Sequence, residues 1–165
     1  MKQLNILFSV ALLLLISCAY GQESPPAEAK GTISGAEIKI NYHQPSARGR
    51  TMIGGDKVPY GKVWRTGANN ATTFEVSKDI KVEGKKLPKG KYSFFTIPGE
   101  KEWTIIFNSE PEQWGAYKYD ESKDVLRVKV AAGKPADHVE TFDISVEKDG
   151  VVLAWEKSLV KVGVQ

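Results

Sequence analysis

The chain has 165 residues, 41% of them hydrophobic, and its 23 Lys and Arg against 20 Asp and Glu leave a formal net charge of +3. That balance is too even for an electrostatic nucleic-acid binder, and the interspersed Lys and Glu mark a solvated surface. The one cysteine, Cys18, excludes an intramolecular disulfide, so stability must come from packing.

In chain order, Lys2 precedes an apolar run from Leu4 to Ile16 and then small residues, the pattern of an export signal over residues 1–21. The run is too short for a bilayer span of about 20 residues. Two processing sites compete within it. Leu15-Ile16-Ser17-Cys18 resembles a bacterial lipobox with Cys18 as the lipidated residue, while Ala19-Tyr20-Gly21 before Gln22 resembles an ordinary signal-peptidase site. The mature protein is therefore expected in the periplasm, anchored at the outer membrane as a lipoprotein, or secreted. Membrane contact is expected only through a lipid on Cys18. Residues 22–30 are polar and carry prolines without an apolar period, which reads as a tether. Residues 31–165 then form a single domain, long enough to bury about two thirds of its unfolded surface.

Beyond Lys30 the apolar residues recur with period two. Ile38, Ile40 and Tyr42 alternate with Glu37, Lys39 and Asn41, and Thr72, Phe74 and Val76 repeat the pattern after an irregular stretch. Strands are expected at Ile80 to Val82, Lys91 to Ile97, Trp103 to Phe107, Val125 to Val130, Glu140 to Val146 and Val151 to Trp155, with a last one through Val160, Val162 and Val164. The segment Glu83 to Gly90 reads as a turn, and Asp149-Gly150 suits a tight hairpin. Trp114 to Asp124 does not alternate and reads as a long loop with room for one helical turn. These elements specify an all-β fold, an antiparallel β-sandwich or jelly-roll-like barrel of roughly eight to ten strands.

Between Pro45 and Phe74 the chain gathers Arg48, Arg50, Trp64, Arg65, Asn69 and Asn70 among the glycines Gly49, Gly54, Gly55, Gly61 and Gly67. Guanidinium groups match carboxylates, sulfates and phosphates, and glycines let a backbone approach closely. The same arginines also suit a structural task, pairing with Asp56, Glu75 or backbone carbonyls to pin a long loop. Trp103 and Trp155 lie in alternating strands and belong in the core. Trp114 and Tyr117 lie in the later loop, where rings can line a concave site. His43 and His138 are the only histidines and have no zinc-type spacing, so neither a metal nor a cofactor is expected. No Gly-x-Ser-x-Gly elbow is present, which leaves His43 or a carboxylate such as Asp56, Glu75, Glu110 or Glu112 as the base of any hydrolase.

The segments Arg48-Gly49-Arg50, Val58-Pro59-Tyr60-Gly61, Val63-Trp64-Arg65-Thr66-Gly67-Ala68-Asn69 and Ala71-Thr72 together resemble the bacterial family catalogued as DUF2911, a domain of unknown function. The resemblance continues through Leu87 to Ser93, Ile97-Pro98, Trp103 to Asn108 and Trp114-Gly115. It implies an exported protein of the Bacteroidetes type, with no assigned activity, cofactor or catalytic residue. The residues themselves favour binding of a small polar or anionic ligand at Arg48, Arg50, Trp64, Arg65, Asn69, Asn70, Trp114 and Tyr117. An envelope hydrolase and a structural or assembly protein without a ligand are the alternatives.

Overall fold

The computed structural model describes residues 23–165, so the export signal, both processing sites and Cys18 lie outside the described residues. Eleven strands follow in order: β1 (Pro26–Ile33), β2 (Ala36–His43), β3 (Thr73–Val76), β4 (Ile80–Val82), β5 (Lys85–Leu87), β6 (Gly90–Ile97), β7 (Glu102–Asn108), β8 (Asp124–Gly133), β9 (Val139–Glu147), β10 (Gly150–Glu156) and β11 (Ser158–Gly163). A single 3-10 turn, Glu121–Lys123, precedes β8.

Alternation decides which side each strand buries. Ile38, Ile40 and Tyr42 of β2 point inward while Glu37, Lys39 and Asn41 point out. Nine strands join as one sheet in the order β1-β2-β3-β6-β7-β8-β11-β10-β9, and β4 and β5 pair separately. All the strand pairings are antiparallel. The sheet curls until its ends meet: a Cβ placed on Gly31 of β1 would lie 2.7 Å from Val146 Cγ1 of β9. The result is a nearly closed barrel, in keeping with the all-β antiparallel fold the period-two pattern specifies.

At the seam between the ends a side chain replaces the missing ladder. The Tyr42 hydroxyl accepts from Ile144 N at 3.1 Å and from Gln44 Nε2 at 3.2 Å, and donates to Asp143 Oδ1 at 3.2 Å. The barrel interior is filled by two aromatic groups, Trp64, Trp103, Phe142 and Trp155 in one and Phe74, Tyr92, Phe94 and Phe107 in the other.

Two stretches differ from the sequence expectation. Pro26 to Lys30 is not tether but the first part of β1, paired with β2 from Pro26↔His43 to Ile33↔Ala36. Its inward residues there are only Ala27 and Ala29, too small to give an apolar period. Within the expected turn, Lys85–Leu87 forms β5 and buries Leu87 completely.

Tyr42→Phe should cost about 1–3 kcal/mol in denaturant unfolding, because it strips the buried Ile144 N–H of its partner. Burial is the first cause that raises the Tyr42, Tyr92 and Tyr119 phenols above their ordinary value of 10.0. A phenol that keeps its proton longer when folded contributes stability that is whole below the unfolded value and lost as pH rises through the folded one. The melting temperature should therefore fall as pH climbs above about 10, and less steeply in Tyr42→Phe.

Candidate functional site

The long segment between β2 and β3 is tied down at successive points. Residues 45–47 add to β9 through Ala47 N→Glu140 O and Phe142 N→Pro45 O, both 2.9 Å. Met52 and Ile53 each donate a backbone N–H to the buried Glu156 carboxylate at 2.9 Å. Trp64 then crosses the barrel wall, pairing with Thr96 of β6 through N→O contacts of 2.7 and 3.0 Å. Its indole, 7% exposed, stacks on Trp155 at 5.7 Å and donates to Gly67 O at 3.1 Å. Beyond it, Thr72 Oγ1 donates to Thr66 O at 2.6 Å, closing the turn that delivers the chain to β3. Gly67 has no room for a side chain there, since a Cβ would lie 2.9 Å from His43 O.

The eight sequence candidates separate into three groups. Trp64 is a core residue. Arg48 and Arg50 sit beside β9: Arg48 N donates to Glu140 Oε1 at 2.6 Å, and Arg50 donates to Ala47 O at 2.9 Å and Ser46 O at 3.1 Å. That Arg48 contact is the main cause holding the Glu140 carboxyl below its usual range. Arg65, Asn69, Asn70, Trp114 and Tyr117 come together. Arg65 donates to Asn69 O at 2.8 Å and lies 5.4 Å from the Tyr117 ring centroid, a cation–π contact. Gly115 N donates to the same carbonyl at 3.1 Å, and Asn69 takes the left-handed backbone, with φ 58°, that asparagine tolerates. This knot fixes the next residues, where Asn70 bridges Trp114 and Ala71 N donates to Gln113 O at 2.9 Å.

Asn70 and Trp114 form one lip of a groove of about 740 Å³ on the outer face of the barrel. Its floor comes from the outward residues of the first strands. Register aligns Glu28, Asn41, Thr73, Ser93, Asn108 and Asp124 in one polar row across β1, β2, β3, β6, β7 and β8. The first three are open and line the groove, together with His43 and Lys91. The other three lie under the segment 109–123 and hold it. Ser93 Oγ donates to Glu110 O at 2.6 Å, and Asn108 Nδ2 donates to Asp120 O and Asp124 Oδ1 at 3.0 and 2.9 Å. Asn108 Oδ1 accepts from Glu110 N and Gln113 Nε2 at 3.1 and 3.3 Å. Apolar packing of Ala71, Phe95 and Ile106 with Ala116 and Tyr119 completes the attachment. The segment so held carries Glu112, Gln113 and Trp114 to the groove.

The charges in the groove are mixed. Glu28 is held below the usual carboxylate range first by the hydrogen bond from Lys39, whose Nζ lies 3.0 Å away, so it stays ionised. Glu112 adds a second acid and Lys91 a base. Among the described residues, no arginine lines this groove and no group of three His, Cys, Asp or Glu is placed to hold a metal. Sequence reasoning missed Glu28, Asn41, Thr73, Lys91 and Gln113 as site residues. Asn41 and Thr73 carry the one faint signal, uncharged polar residues at outward positions otherwise taken by Lys and Glu.

A protein-family model described as "Protein of unknown function (DUF2911)" matches residues 24–164, which spans every strand of the barrel. No curated protein and no solved structure matches the chain.

The placement of the tryptophans is directly testable. Trp64→Ala should lower unfolding free energy by about 3–5 kcal/mol, as large-to-small changes at buried aromatics do. Trp114→Ala, at a side chain 63% exposed, should stay within about 0.5 kcal/mol of the parent. Denaturant titration followed by circular dichroism reads both.

Proposed function

Since the chain belongs to the DUF2911 family of proteins of unknown function, a membership that carries no activity with it, we propose from the geometry that the protein binds a small polar ligand in the groove between Asn70, Trp114 and the β1–β3 face. One observation carries this reading. Trp114, 63% exposed, stands at the rim of a concave surface lined by polar side chains, on a segment that the Asn108 hub and the Arg65–Asn69–Gly115 knot keep in place. Its volume falls within the range of small-molecule sites, about 300–1,000 Å³. The anionic ligand that three arginines would favour is set aside, because Glu28 and Glu112 line the groove, none of the three arginines lines it, and Arg50 and Arg65 are bonded to backbone carbonyls. The leader-like segment from Lys2 to Ile16 supports placing this binding outside the cytoplasm.

A second reading, hydrolysis, uses the same groove, because His43 lies in it beside the carboxylates Glu28 and Glu112. It requires turnover of an ester, glycoside or phosphate that His43→Ala or Glu112→Gln reduces. Equal turnover by all three proteins removes both residues from any mechanism.

The binding reading is tested by recording amide nitrogen–proton spectra while a library of small polar metabolites is added. Saturable shifts should gather at Asn41, Asn70, Thr73, Gln113 and Gly115, and Asn70→Ala should weaken them. Shifts confined to the Arg48–Arg50 turn, or no shifts with any compound, would overturn it.

A further inference from the structure

The groove's chemistry narrows the ligand class. Of the four tryptophans, three are in the core and only Trp114 shows its ring to solvent. An indole face left open beside hydrogen-bonding groups suits a ligand that is itself apolar on one side and polar at its edges. Asn41 and Asn70 offer amides that both donate and accept, Thr73 offers a hydroxyl, and Glu28 and Glu112 accept, whereas the Gln113 amide is turned inward to Asn108 and Glu110. Glu28 and Glu112 oppose Lys91, while Lys39 and Lys30 pair with Glu28 on the same outer face, so a strongly charged ligand of either sign gains little. A phosphate-bearing ligand would meet one lysine and two carboxylates. A flat aromatic ligand would leave the floor groups Glu28, Asn41 and Thr73 without partners, at the cost of desolvating them.

Those floor groups sit on adjacent strands, about 4.8 Å apart, a spacing comparable to the repeat of a chain of pyranose rings. Building on the reading of this groove as a ligand site, we propose that it is a saccharide-binding site for neutral sugars. One pyranose ring lies with its C–H face on Trp114, its hydroxyls bonded to Asn70 and Glu112, and the sugar chain continues over Thr73, Asn41 and Glu28. Tyr117 takes no part, because its ring is covered on one side by the Arg65 guanidinium and it does not line the groove.

The test uses isothermal titration calorimetry, which reads the parent and its tryptophan variants alike, with the emission of Trp114 followed in the parent as the one indole exposed at the groove. The protein is titrated with cellohexaose, maltohexaose, laminarihexaose, xylohexaose and chitohexaose, and in parallel with oligogalacturonate and inorganic phosphate. A saturable heat of binding with at least one neutral hexaose is expected, with a matching change in Trp114 emission in the parent. Trp114→Ala should weaken its binding about tenfold or more, Trp114→Phe less, and Tyr117→Ala by under about twofold. Thr73→Val, which keeps the shape of a half-buried strand residue, should weaken the same sugar without changing the fold. No response to any neutral hexaose that depends on Trp114 overturns the proposal, as does a response only to oligogalacturonate or phosphate. The failure of the wider reading is distinguishable: Trp114-dependent shifts with other polar metabolites keep the groove as a site and discard only the sugar.

Discussion

The groove depends on the burial of Trp64. A segment of nearly thirty residues between β2 and β3 has no ladder of its own and must be held by something other than secondary structure. Trp64 does this twice over. Its backbone joins β6 at Thr96, and its indole enters the aromatic group of Trp103, Phe142 and Trp155. Apolar burial supplies the driving force and the hydrogen bond to Gly67 O fixes the angle at which the chain leaves. From that angle follow the Thr66–Thr72 turn, the left-handed Asn69 and the position of Asn70. The order of cause runs from core to lip.

The second constraint is the outer polar row, one register with two uses. A row of short polar side chains on an antiparallel sheet has its neighbours about 5 Å apart, close enough to bond a strand-like segment laid over it. Over Ser93, Asn108 and Asp124 the chain supplies that segment itself, and Asn108, fully buried, has both its amide groups satisfied. Over Glu28, Asn41 and Thr73 none of the described residues is laid, and the same kind of surface is open. The covered half is the precedent within this barrel for the binding proposed of the open half.

The strands were legible because their signal is local. Ile38, Ile40 and Tyr42, or Trp103, Ile105 and Phe107, announce a buried face by alternation alone, and ten residues suffice to see it. β1 was not legible, because Ala27 and Ala29 bury too little to stand out and Pro25 and Pro26 resemble a linker. Its partner β2 forms the strand by completing the ladder, a tertiary effect. The site was legible in part. Asn70 and Trp114 were marked by residue type and by their loops, but Glu28, Asn41 and Thr73 come from three strands whose alignment only register supplies. Trp64 misled for the opposite reason. A tryptophan among glycines and arginines resembles a binding residue, and only packing against Trp155 reveals an anchor.

This division bears on how the family's motif is to be understood. Arg48-Gly49-Arg50 and Trp64 to Asn69 are the most recognisable part of the chain, yet the side chains of Arg50, Trp64 and Arg65 are spent on carbonyls, on the core and on one tyrosine ring. Such a motif specifies how a long loop folds, and a fold of this kind can carry different ligands. On the proposed reading, what selects a ligand is a thinner set: the charge at Glu28, Lys91 and Glu112, the amides at Asn41 and Asn70, and the ring at Trp114. Each of these projects from the surface and is free of any packing role in the barrel, so each can change without unfolding it. Two chains that share the motif and differ at these positions should therefore share a barrel and a groove while binding different molecules.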